Sequence, residues 1–120
     1  MKRRDDAVYL QYMIDAIDRV AFYVSGRSRT DLDPDLLLQD GIVRQIQILG
    51  EACRSVSPEL RNRYPEIPWR EITATRNRMV HDYFDLDLTT IWDIVASELP
   101  VLRPQLAAIL ASLEPGPHAP

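Results

Sequence analysis

The chain has 120 residues, 46% of them hydrophobic and 27% charged, enough apolar material for one domain with a core and too much for a disordered chain. Its net charge of −4 excludes an indiscriminate nucleic-acid binder, and its one cysteine, Cys53, excludes an intramolecular disulfide and a thiolate zinc cluster. That cysteine usage suits the cytoplasm, and the sequence shows neither a signal peptide nor a run of ~18 apolar residues able to span a membrane.

Residues 5–25 predict an amphipathic helix, with Leu10, Met13, Ile14, Ile17, Val20, Ala21 and Val24 recurring at three and four. Gly26 suits a left-handed cap behind it. Tyr12, Ala16, Arg19 and Tyr23 make a second stripe, read here as a partner interface rather than plain surface. Residues 26–31 read as a polar loop. Asp33 followed by Pro34 predicts the start of a second helix running to about Val56. Its core stripe is Leu38, Ile42, Ile46, Leu49, Cys53 and Val56. A second line, Leu37, Gly41, Ile48 and Ala52, implies burial on two sides, which suits either a central position or a dimer. Gly41 and Gly50 each weaken that helix by about 1 kcal/mol, so close helix–helix approach is the expected return.

Ser57-Pro58 begins a short helical turn that ends by Tyr64-Pro65, and Pro68 opens a third long helix from Trp69 to about Tyr83. Asp87 or Thr89 caps the last helix, with a stripe of Ile91, Val95, Leu99, Leu102, Leu106, Ile109 and Leu113. Pro100 predicts a kink or break in it, and Pro104 a second one or the first turn of a resumed helix. Residues 114–120 read as a disordered tail in which His118 is inert. With no strand or hairpin signal, the expected fold class is an all-α, up-and-down bundle of four to five helices over residues 1–113.

Charge and chemistry concentrate near the third long helix. Residues 54–78 hold six arginines against three glutamates, whereas the remainder holds eight basic and fifteen acidic residues. Arginine's planar fork suits phosphate, although compositional bias explains the arginines equally well. Within Arg76-Asn77-Arg78-Met79-Val80-His81-Asp82-Tyr83, Arg76 falls mid-stripe with Trp69, Ile72, Met79, Val80 and Tyr83, all within about 60° at 100° per residue. It reads either as a buried ion pair, with Glu51 or an aspartate as counter-ion, or as an anion site in a cleft. His81 lies about 140° from Arg76 and 40° from Asn77. Convergence of Arg76 and His81 therefore needs a cleft at the helix flank, fraying near His81, or a second subunit.

No nucleophile triad, metal-ligand cluster or glycine-rich phosphate loop accompanies these residues. An imidazole can take a proton from a ribose 2′-hydroxyl at neutral pH, and arginines can hold the scissile phosphate. That combination points to metal-independent RNA cleavage leaving a 2′,3′-cyclic phosphate.

Over about residues 6–110 the sequence resembles HepT-like toxins, a branch of the HEPN superfamily of helical ribonucleases. The resemblance rests on Ile48-Leu49-Gly50-Glu51-Ala52, Tyr64-Pro65-Glu66-Ile67-Pro68-Trp69, Arg76-Asn77-Arg78-Met79-Val80-His81-Asp82-Tyr83-Phe84 and Leu99-Pro100. Gly41 and the proline-rich tail are minor departures. The resemblance implies a dimer whose two motifs line one cleft, with Arg76 and His81 catalytic and Asn77 and Arg78 in support. It implies the toxin of a toxin–antitoxin pair, whose partner, an MntA-type minimal nucleotidyltransferase, moves AMP from ATP to Tyr83. The chain would then need no cofactor of its own. The competing expectation is a non-catalytic HEPN module for nucleotide binding or assembly.

Overall fold

Four stretches with apolar residues three and four apart become four long helices in the computed structural model, which describes residues 3–81, 85 and 87–113. In chain order they are α1 (Arg3–Val24), the short α2 (Arg29–Leu32), α3 (Leu36–Ser55), the short α4 (Pro58–Arg63), α5 (Trp69–His81), α6 (Leu88–Asp93), a π-helical segment (Ile94–Glu98) and α7 (Leu99–Leu113). The last three run on as one rod. The described residues contain no strand, so the chain is an all-α bundle. The tail 114–120, with His118, lies outside the described residues.

α3 is the middle of the bundle. It packs on α1 along one side and on α5 along the other, and α1 also carries α7. This resolves the two apolar lines of α3. The predicted stripe from Leu38 to Val56 is fully buried. Of the second line, Ala52 is buried, Ile48 is partly covered, and Gly41 lies 3.3 Å from the Tyr23 ring as judged from an added Cβ. Only Leu37 is left in solvent, so most of that line is used within the chain. The stripe on α1 is corrected in the same way. Ala16 is core, Tyr23 covers Gly41, and only Tyr12 and Arg19 face outward.

The start of α3 also differs from expectation. Residues 26–31 are not all loop, because α2 occupies Arg29–Leu32, its first turn tied by the Ser28 N–H donating to Asp31 Oδ2 at 2.8 Å. Asp33 then closes α2 and pairs with Arg29, so the cap of α3 passes to Asp35, whose carboxylate accepts from the Leu38 N–H at 2.9 Å. Gly26 takes φ 74°, as the left-handed turn after α1 requires.

One anchor has no signal in the hydrophobic pattern. Asp6, at the start of α1, is buried and accepts from both the backbone N–H and the hydroxyl of Ser57, at 2.8 and 2.7 Å. Ser57 in turn accepts from the Leu60 N–H, which caps α4. The entry to α4 is thus fixed to the first turn of α1.

Pro100 does not break the last rod. It cannot donate to the Ala96 carbonyl, and the strain is taken up just upstream, where the Leu99 N–H donates to Ile94 O in the wider π pattern. Pro104 lies inside α7. Asp87 caps the rod, accepting from Thr89 N at 3.0 Å. Leu88–Leu113, with a mean hydropathy of 1.4 over an 18-residue stretch, is long and apolar enough by composition to cross a membrane, which the expectation of no such run missed. Its stripe from Ile91 to Leu110 is nevertheless part of the bundle core.

Candidate active site

α5 is positioned by what it lays on α3. Trp69, Ile72 and Met79 are buried there. The Trp69 indole N–H donates to Tyr64 O at 2.9 Å, which locks the loop before the helix. Arg76 lies on this same face. Its stem crosses α3 at Gly50, where an added Cβ would stand 2.8 Å from Arg76 Cγ. The missing side chain of Gly50 is what lets a long arginine lie between the helices.

The Arg76 side chain keeps 20% of its accessibility. Its Nη2 pairs with Glu51 Oε2, and its Nη1 donates to Asn77 Oδ1 at 3.0 Å. Nε is buried without a hydrogen-bond partner. Glu51 is therefore the counter-ion, and the segment Gly50-Glu51 supplies both the space and the charge that Arg76 needs. The side chain is not fully enclosed, so the ion pair and an anion site are not mutually exclusive.

α5 stays helical through His81, which is exposed at its last residue. This removes fraying as a way to bring Arg76 and His81 together. Five residues along one helix set them about 7.5 Å apart in rise and about 140° apart in direction. Asn77 and Arg78 are both exposed, and Asn77 shares the His81 side of the helix while its carbonyl oxygen holds Arg76. Asn77 thus links the two. Tyr83 lies outside the described residues.

One residue was not foreseen. Gln47 on α3 donates from Nε2 to the Met79 carbonyl at 3.1 Å. This side-chain bond ties α3 to α5 two residues before His81. An i, i+3, i+4 series from Gln47 through Gly50 to Glu51, facing the arginine, was the available signal. Cys53 is buried behind this face, and burial pushes its thiol up from the ordinary range, so it stays a protonated core residue. Among the described residues no three His, Cys, Asp or Glu side chains gather as a metal cluster.

The all-helical bundle thus carries Arg76, Asn77 and His81 on one helix. The family model "Ribonuclease HepT-like" matches residues 13–109. A "Putative RNase" of Caldanaerobacter subterraneus subsp. tengcongensis is 31% identical over 85% of this chain and 91% of its own length. A "Probable ribonuclease HepT" of Thermococcus cleftensis is 29% identical over 84% of this chain and 92% of its own. A Methanocaldococcus jannaschii protein named "Gamma-glutamylcyclotransferase and putative RNase" is 30% identical over 93% of this chain, which spans 50% of that protein's length. No solved structure gives a significant match. The chain belongs to the HepT-like ribonuclease family. The expected family is borne out, and with it an enzyme that cuts RNA.

Proposed function

We propose that this chain is the toxin of a toxin–antitoxin pair, an endoribonuclease that cuts RNA without a metal ion. The observation that carries the reading is His81, exposed at the end of α5 on the side of Asn77, with Asn77 holding Arg76. His81 takes the proton of a ribose 2′-hydroxyl. The 2′-oxygen attacks the adjacent phosphorus, and the bond to the 5′-oxygen breaks. That oxygen leaves with a proton from the histidinium or from water, giving a 2′,3′-cyclic phosphate and a 5′-hydroxyl end. Arg76 and Arg78 offset the charge that builds on the phosphate, and Asn77 keeps Arg76 in place.

A dimer completes this site. The 140° between Arg76 and His81 on a regular helix favours a cleft shared by two chains. Phe22, Leu36 and Leu37, 80%, 69% and 83% exposed, leave apolar surface for such a contact. Regulation falls to Tyr83, two residues beyond His81. A tyrosine hydroxyl is a weak nucleophile, so an MntA-type nucleotidyltransferase in the same cytoplasm would transfer AMP to it from ATP. The added phosphate and bulk would then keep RNA from His81. The ion pair of Arg76 with Glu51 favours a second reading, a non-catalytic assembly module in which Arg76 is structural.

The test is cleavage of a defined RNA in EDTA with analysis of the product ends. Cyclic phosphate ends support the reading. Activity lost in EDTA and restored by magnesium, or 3′-hydroxyl ends, would overturn it. For regulation, intact mass after co-expression with the transferase should show AMP on wild type and none on Tyr83→Phe, which stays active. Silencing of Tyr83→Phe without a mass change would contradict the assignment.

A further inference from the structure

The side of α5 that carries His81 also walls a groove of about 1000 Å³ between α5, α4 and the end of α3. Arg54, Arg61, Asn62, Arg70, Thr73 and Asn77 line it, with Glu71 as the one carboxylate among the lining residues. Arg27, Arg29, Arg76 and Arg103 are ion-paired, whereas Arg54, Arg61 and Arg70 make no ion pair among the described residues. The Arg61 Nε is buried and has no hydrogen-bond partner. Three arginines have thus been gathered around one trough with a single carboxylate, Glu71, among its lining residues, in a chain whose overall charge is −4.

The trough has a direction. Relative to Arg70, the residues Thr73, Ala74, Asn77 and His81 all fall within about 60° at 100° per residue, a single stripe down α5. From Arg70 to His81 the stripe runs roughly 16 Å at 1.5 Å per residue. Along α5 the stripe therefore begins at the Arg70 fork, passes Thr73 and Asn77 on the groove wall, and reaches His81 one turn beyond the groove's last lining residue.

We propose that this groove seats the sugar–phosphate backbone of the RNA strand flanking the cut, delivering the scissile phosphate to His81. The inference rests on the ribonuclease reading above and extends it to where the substrate lies. An acidic protein segment would satisfy the arginines equally. RNA is favoured because the stripe runs without interruption to the imidazole that acts on it, and because planar guanidinium forks suit phosphate. Backbone contacts of this kind carry no sequence information, so the groove contributes affinity and not target choice.

The test uses the full chain with His81→Ala, so that RNA is bound and not cut. Binding of a fluorescein-labelled single-stranded RNA dodecamer is followed by anisotropy across a salt titration. Arg54→Gln/Arg70→Gln changes two exposed side chains, and a triple variant adds Arg61→Gln. Each phosphate contact contributes about 0.7 to the slope of log affinity against log salt for a single strand. The slope should fall by about 1.4 in the double variant and about 2 in the triple, with melting curves unchanged for the double. With His81 intact, the same substitutions should raise KM for the dodecamer at least tenfold.

An unchanged slope and KM in the double variant overturns the groove while leaving the ribonuclease reading intact. Loss of hexaglutamate binding, with RNA binding retained, overturns it in favour of an acidic polypeptide. Absence of cleavage by wild type overturns the ribonuclease reading instead, and the anisotropy series still reports on the groove.

Discussion

Gly50 and Arg76 meet across the α3–α5 interface so closely that a methyl group on Gly50 would overlap the Cβ of Arg76. That Cβ is fixed to the α5 backbone, so it cannot swing aside, and Ile72 O stands 3.3 Å from the same point. Gly50→Ala gains about 1 kcal/mol of helix propensity and loses more to overpacking, typically 1–3 kcal/mol. The expected outcome is a lower melting temperature and at least a tenfold loss of RNA cleavage, because α5 and the Arg76 guanidinium shift together. A melting curve and a cleavage rate on one preparation check both. A more stable, fully active Gly50→Ala would show that the two helices part freely.

Gln47 tests the tie between α3 and the part of α5 that carries His81. Gln47→Leu removes the donor to Met79 O while keeping bulk, and the lost hydrogen bond costs about 1 kcal/mol. Hydrogen exchange at the last turn of α5 should quicken, and kcat should fall several-fold with KM little changed. A wild-type exchange pattern with normal kcat would mean that the last turn holds itself.

The link between α1 and α7 gives a pH dependence of definite sign. Arg103 donates from Nε and Nη2 to the two carboxylate oxygens of Asp18, each at 3.0 Å. These hydrogen bonds lower the Asp18 pKa from its ordinary value. A lowered folded pKa means that the stability is present above the unfolded value and is lost as pH falls through the folded one. Wild type should therefore lose stability below about pH 4, and Arg103→Gln should lose less over the same window. Both groups are about half exposed, so the difference is small and should shrink further in high salt. Identical acid limbs for the two proteins at low salt would remove this bridge from the account.

The repeating apolar residues make the four long helices legible in the sequence, because burial on a 3.6-residue period is a local signal. Cap-plus-proline signals place α4 and α5 well. The same kind of signal misplaces α3, since Asp33, Pro34 and Asp35 offer two capping aspartates, and the choice between them depends on α2 and on Arg27 pairing with Asp35. The partner of Arg76 is legible as a short choice, and Glu51 is in it, because a buried guanidinium demands a carboxylate. Gln47 and Asp6 are not legible, because each acts on a backbone group set by tertiary packing. The basic groove is only half legible. The arginine-rich stretch 54–78 stands out in the sequence, but sequence spacing does not show that Arg54, Arg61 and Arg70, from three helices, line one groove while Arg76 pairs with Glu51.

Proton transfer by His81, exposed at the end of α5, is the proposed step on which RNA cleavage turns. The most direct measurement is the single-turnover cleavage rate of one defined RNA by wild type and by His81→Ala, purified identically and matched by melting curve. The expected result is a loss of about 10²-fold or more in His81→Ala, with RNA binding retained. Equal rates in the two proteins would contradict it.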